Sequence, residues 1–242
     1  MITVLRKEIN LFFSSLVGYM AVAVFLAINS IFLWVLNDGS ILGSGYATLD
    51  QFFIISPWVF MFLIPAITMR SFAEEFKTGT IEILATKPIS DLQIVLGKFL
   101  AGWALIIIAL LPSLVYFYSI YQLAAPVGNV DVGAILGSYI GLLLLGGAYL
   151  VIGLWASSLT DNQIVSFILA ILFCFVFYAL LDWIRAIETF APFDEIIAFI
   201  GLQAHYNSVS QGVIDTRDVI YFLGFMLLFI FITKTKLASR KW

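Results

Sequence analysis

The sequence predicts an all-α, polytopic membrane fold with six transmembrane helices and both termini on the same side. Three observations carry that reading: six long stretches without an Asp, Glu, Lys or Arg, a composition that is 62% apolar and 11% charged, and a lopsided distribution of basic residues. The six read as spans are 9–37, 51–69, 99–130, 132–160, 162–181 and 219–233. A bilayer core of about 30 Å needs roughly 20 apolar residues of helix. A charge at its centre costs at least about 3 kcal/mol, so such runs read as spans. The last run is short, and it is completed by letting Arg217 and Lys234 snorkel. A water-soluble domain of this composition could not cover its own surface.

Basic residues set the orientation, because loops rich in Lys and Arg stay cytoplasmic. Six spans place 1–15, 70–98 and the C-terminal tail together. That face holds Arg6, Lys7, Arg70, Lys77, Lys87, Lys98, Lys234, Lys236, Arg240 and Lys241, ten of the twelve basic residues. The opposite face keeps Arg185 and Arg217 among nine acidic side chains. Both termini are therefore expected in the cytoplasm.

Residues 1–15 come first. Ile2, Leu5, Ile9, Phe12 and Phe13 recur at helical spacing, with Lys7, Asn10 and Ser14 turned away. That pattern suits a helix lying in the membrane interface, and equally an extension of the first span. The spans are placed at 16–36, 51–69, 99–122, 132–156, 163–182 and 217–234. Ala21-Val22-Ala23 has the spacing of a cleavage site, but the apolar run continues beyond it, so the first span is expected to stay. Pro57, Pro65 and Pro112 provide kinks in spans two and three. Gly133, Gly137 and Gly141 form two overlapping Gly-x-x-x-Gly steps, the pattern of close backbone packing in lipid. That neighbour is an internal helix or a second subunit. Asn29, Ser30, Ser113, Tyr116, Tyr118, Tyr121, Tyr139 and Tyr149 are read as interhelical hydrogen-bonding groups. Cys174 is the only cysteine and reads as small apolar packing.

Two connections are too elaborate to be plain turns. Between spans two and three, residues 70–98 show two capping-box patterns, Ser71 with Glu74 and Ser90 with Gln93. Thr78-Gly79-Thr80 signals a turn, and Lys87-Pro88 ends the short helix that follows. Ile81, Leu84 and Ala85 make its apolar stripe, with Glu82 on another side. A helix of two turns is unstable alone, so it packs on its own membrane domain or on a soluble partner. The second connection, 183–216, carries Ile187, Phe190, Ile196, Ile197, Phe199, Ile200 and Leu202, interrupted by Pro192, Asp194 and Glu195. It is too apolar for a free loop and too short to span, so interfacial or re-entrant helices are expected.

Several chemistries are set aside on the residues. The cores of the spans lack Asp, Glu, Lys, Arg and His, which argues against a proton- or sodium-driven transporter. A phosphate-binding loop needs Gly-x-x-x-x-Gly-Lys-Ser/Thr. The only Gly-Lys pair, Gly97-Lys98, has Leu92 at the first glycine position and Phe99 after the lysine. No catalytic residue is therefore assigned and no nucleotide is expected on this chain. His205 is the only histidine and has no cysteine near it, so no metal site is expected. Glu74-Glu75 matches the glutamate pair of membrane CAAX-type proteases, but those need further histidines.

The stretch 79–90, GTIEILATKPIS, preceded by Glu74 and Glu75, resembles the cytoplasmic signature of ABC-2-type permeases, the membrane subunits of one class of ABC transporter. The run 212–222, GVIDTRDVIYF, is similar to that family's lead-in to its last helix. The resemblance extends along the whole chain, and within the family it is nearest to permeases of gliding-motility-associated ABC transporters. Phe76 departs from it, standing where many relatives carry a charge.

The resemblance implies an ABC-2, type V exporter-like permease fold in a bacterial inner membrane. It makes 70–98 a coupling loop whose Glu74, Glu75, Thr78, Gly79, Thr80, Ile81, Glu82, Leu84 and Pro88 meet an ATPase groove. It also marks Pro192, Gly212, Asp215, Arg217 and Asp218 in the external segment and the start of the last span. Two ATPase subunits binding ATP and Mg, and a second permease forming a homodimer or heterodimer, are the implied partners, with no nucleic acid. The function implied is export or other transmembrane work driven by those ATPases. The alternative is an anchor that relays ATPase motion to an extracytoplasmic partner without carrying a substrate.

Overall fold

A computed structural model describes residues 1–36, 40–85, 89–212 and 215–239, with side-chain detail except at positions 17, 42, 44, 83–85, 188 and 190. Among the described residues there is no strand. The helices are α1 (Ile2–Ser14), α2 (Leu16–Trp34), α3 (Ile41–Ser44), α4 (Asp50–Thr68), α5 (Ala73–Lys77), α6 (Thr80–Ala85), α7 (Asp91–Leu110) and α8 (Leu114–Leu123). They continue with α9 (Val132–Ser157), α10 (Gln163–Phe175), a π-helical turn (Val176–Leu180) and α11 (Leu181–Arg185). A 3₁₀ turn (Glu188–Phe193), α12 (Asp194–Ile200), α13 (Leu202–Ser210) and α14 (Thr216–Ala238) complete the chain.

Five segments are each long and apolar enough to cross a membrane: Asp50–Lys77, Asp91–Leu123, Val132–Ser157, Gln163–Arg185 and Thr216–Ala238. A sixth results when α1 and α2 are taken together, although they meet at a 67° bend. The bend lets α1 run along α7 while α2 packs on α4. Gly97 permits the first contact, since a Cβ there would stand 2.9 Å from Val4 Cβ. Ile2 and Leu11 on α1 remain exposed, as an apolar face turned towards lipid requires.

Helix α9 is the central pillar. In the most apolar 18 residues of its span 78% are buried, against 28% and 33% for the α10–α11 and α14 spans, which present apolar side chains outward. Several polar groups inside the bundle pair between helices, but the Tyr149 hydroxyl, expected among them, is buried without a hydrogen-bond partner, and Tyr118 is exposed. Ser56 donates to Asn29 Oδ1 at 2.9 Å, joining α4 to α2. The Ser30 and Tyr116 hydroxyls lie 2.6 Å apart, and Tyr139 donates to the Ser113 carbonyl at 3.0 Å. In lipid such bonds contribute about 0.6–2 kcal/mol each.

The expected proline positions are only partly helix-interior, and one of them is compensated from another helix. Pro57 and Pro65 lie inside α4, and Pro112 falls in the break between α7 and α8. Pro57 has no N–H for the Phe53 carbonyl four residues earlier. The Tyr206 hydroxyl of α13 donates to that carbonyl instead, at 2.8 Å.

Candidate functional site

Glu8, Glu75 and Lys98 are separated by up to 90 residues in sequence and meet at one end of the bundle. Lys98 Nζ lies 2.9 Å from Glu8 Oε1 and 2.9 Å from Glu75 Oε1, and it donates to the Ser71 carbonyl at 2.7 Å. Its side chain is 1% exposed, and the ammonium stands 5.0 Å from the centre of the Phe72 ring. Lys7 joins from the rim, 3.0 Å from Glu75 Oε1 and 3.8 Å from Glu8. Burial works to lower the Lys7 pKa, but the Glu75 charge and hydrogen bond, with Glu8 adding, outweigh it and the pKa is raised.

Two cations and two carboxylates thus neutralise one another at a buried junction of α1, α5 and α7. Partial removal of such a cluster costs about 3–5 kcal/mol, because an uncompensated charge is left inside. One oxygen, Glu75 Oε2, is buried without a partner. A cavity of about 250 Å³ opens beside the cluster, between α1 and the segment that leaves α4.

The loop helices are bolted down at a second point. Ser157, near the end of α9, accepts from the Phe72 and Ala73 backbone N–H groups at 2.9 and 3.1 Å and donates to the Met69 carbonyl at 3.2 Å. A side chain from another helix therefore satisfies donors that the first turn of α5 leaves open. The expected Ser71–Glu74 capping box does not form: Phe72 is the N-cap residue and has no side-chain cap bond. The Ser71 carbonyl is drawn to Lys98 instead. The Ser90–Gln93 box does form and opens α7.

Gly79 takes φ +69° with open space around it, a left-handed turn that glycine adopts without strain, and it separates α5 from α6. Glu74, Lys77, Thr78, Gly79, Thr80 and Glu82 are exposed, whereas Glu75 and Ile81 are buried. The expected docking stripe is corrected in one respect. Ile81 is only 7% exposed and belongs to the chain's own apolar core, so it fastens α6 to the spans. The Leu84 and Ala85 side chains, and Pro88 altogether, lie outside the described residues.

At the opposite end, α13, in the segment 183–216, folds onto α9. A Cβ at Gly137 would stand 2.9 Å from the Val209 carbonyl oxygen and 3.1 Å from Gly212 Cα. Gly141 faces the Tyr206 ring, while Gly133 has only the Asp131 carboxylate near it. Gly212 is fixed twice, by φ +85° and by a Cβ position 2.8 Å from Ala134 Cα. Pro192 sits within the 3₁₀ turn. Asp215 caps α14 by accepting from the Arg217 N–H at 2.9 Å, with the Arg217 side chain exposed.

Buried Asp218 Oδ1 lies 2.6 Å from His205 Nδ1, and His205 Nε2 is 3.1 Å from the Phe199 carbonyl oxygen. The His205 ring stacks on Tyr221 at 3.7 Å. Sequence reasoning singled out Asp218 without its histidine; it read Lys7 and Lys98 only as orientation charges and passed over Glu8 and Ser157. The one available signal was Lys98 directly following Gly97, a long cation beside a residue small enough for helix contact.

No curated protein matches this chain. The family model described as ABC-2 family transporter protein matches residues 4–237, nearly the whole length. With its helical bundle of five to six candidate spans, the chain belongs to the ABC-2 transporter permease family, the membrane-spanning subunits of ABC transporters.

Proposed function

We propose that this chain couples ATP hydrolysis by a separate ATPase to export or other work across a bacterial inner membrane, with α5 and α6 as the input. Two ATPase subunits would bind ATP and Mg, and a second permease would pair along the exposed apolar faces of α10 and α14. Both termini and the loop after α4 would be cytoplasmic, on the grounds of the basic-residue bias. The gliding-motility assignment, with the F subunit of the Gld system of Bacteroidetes as the resembling protein, rests on the sequence signature alone.

The observation that carries the proposal is the two-sidedness of the loop. One side presents Glu74, Thr78, Thr80 and Glu82 to solvent, while Phe72, Glu75 and Ile81 on the other are locked to the spans. A push on the exposed side would therefore reach α1 and α7 through Lys98, and α9 through Ser157, instead of being absorbed by a flexible connection.

Affinity purification from the native host tests this. A P-loop ATPase should co-purify with the parent chain. Thr80→Trp together with Glu82→Lys should lower its retention about tenfold, equivalent to 1.4 kcal/mol. Full retention with membrane-stimulated turnover would remove the loop from the coupling path.

A further inference from the structure

The cavity beside the ion cluster shares Glu74, Thr78 and Thr80 with the exposed face of the loop, and its balance of charges suits a small ligand as well. Its charged lining is Lys7, Arg70 and Lys98 against Glu8, Glu74 and Glu75, three of each sign. The three ammonium donors of Lys98 are taken by Glu8, Glu75 and the Ser71 carbonyl, so Lys98 has none left for a ligand. Arg70 and Glu74 differ: both are exposed at the rim, and neither side chain has an ion-pair partner among the described residues. They stand four residues apart yet do not pair with each other. Of the uncharged lining, Ser15, Ser71, Thr78 and Thr80 carry hydroxyls, while Leu11, Phe12 and Ile67 form an apolar wall leading away from the charges.

We propose that this cavity seats the headgroup of a zwitterionic phospholipid carrying a primary ammonium, phosphatidylethanolamine, from the leaflet at the basic face. The phosphate would lie at Arg70, with Lys7 beside it, as a guanidinium favours phosphate oxygens. The ammonium would donate to the Glu74 carboxylate. A volume of about 250 Å³ is a little below the roughly 300–1,000 Å³ of pockets for drug-sized ligands, so it suits a headgroup, with the acyl chains outside.

Location agrees with chemistry. Arg70 is the first charge after an uncharged run of α4, at the depth where headgroups begin, and Leu11 on the interfacial face of α1 is 51% exposed. Electroneutrality selects against an anionic lipid, which would leave Glu74 facing a phosphate without a counter-cation. A trimethylammonium headgroup has no N–H to give Glu74. A free phosphoethanolamine shares the headgroup chemistry but has no acyl chains to lie against Leu11 and Phe12.

Native mass spectrometry of the purified full chain, exchanged into equal amounts of phosphatidylethanolamine, phosphatidylcholine and phosphatidylglycerol, tests the proposal without any ATPase. The ethanolamine lipid should be retained preferentially. Arg70→Gln and Glu74→Gln should each lower that retention about two- to five-fold, the loss expected for one exposed ion pair, while Lys236→Gln should not. Glu74→Gln should also erase the preference over phosphatidylglycerol. Equal retention of the three lipids, or retention unchanged in both variants, overturns the proposal. Binding of free phosphoethanolamine without retention of its lipid assigns the site to a soluble ligand and also overturns it. ATPase retention is read separately, so loss of the coupling assignment leaves this result standing.

Discussion

The Tyr206 hydroxyl donates at 2.8 Å to the Phe53 carbonyl, the acceptor that Pro57 leaves without its helical donor. The proline position in α4 is thereby tied to α13, far along the chain. Tyr206 itself is only 2% exposed and packs over Gly141. Tyr206→Phe keeps the ring and removes the donor, leaving a buried carbonyl unpaired. We expect a loss of about 1–2 kcal/mol, read as a lower thermal midpoint in detergent or nanodiscs. An unchanged midpoint would mean the carbonyl finds another donor.

Replacing Gly137 by Leu pushes a side chain into the Val209 carbonyl and the Gly212 backbone, neither of which is a flexible end that can swing away. Overpacking of this kind costs about 1–3 kcal/mol. Gly133→Leu, with only the Asp131 carboxylate nearby, should cost less. The pair of thermal midpoints checks the ordering, and equal shifts would show that α13 does not sit on α9 at Gly137.

The fold was legible because bilayer thickness and the cost of a buried charge are written directly into run lengths. The bend between α1 and α2 was not, since the apolar pattern of residues 1–15 serves an interfacial helix and a longer span alike. Gly79 and the Ser90–Gln93 box were readable as local chemistry, closed within four residues. The Glu8–Lys98–Glu75 cluster was invisible for the opposite reason: each residue lies near a span end, where isolated charges are ordinary. Only the tertiary contact of α1 with α7 makes them one site. Ile81 misled because a short apolar stripe does not say which surface covers it.

The Arg185 side chain holds the start of α12 in place, with Nε 2.7 Å from Asp194 Oδ1. The hydrogen bond from Arg185 is the largest effect and lowers the Asp194 pKa; desolvation opposes it, the Arg185 charge adds a smaller lowering, and the net shift is downward. A depressed carboxyl pKa adds order that is fully present above the unfolded value near 3.8 and is lost as pH falls through the folded value. Amide protection in residues 194–200, corrected for intrinsic exchange, should therefore drop as the medium is acidified below about pH 4. In Arg185→Gln the step should vanish. A step of equal size in that variant would assign it to another group.

Lys98 offers the sharpest test of the cluster, because its charge and its two carboxylate partners can be removed separately. Lys98→Met leaves Glu8 and Glu75 facing each other beside a single half-exposed cation, Lys7. We expect a loss of about 3–5 kcal/mol, enough to lower both yield and thermal midpoint. Adding Glu8→Gln and Glu75→Gln to Lys98→Met removes the uncompensated charges while keeping similar volumes. A buried ion pair is often no more stabilising than neutral packing, so the triple variant should recover most of the loss. Such non-additivity is the signature of residues that act as one unit. If the triple variant is as unstable as the sum of its parts, the four side chains do not act as one unit, and the junction of α1, α5 and α7 does not depend on their mutual neutralisation.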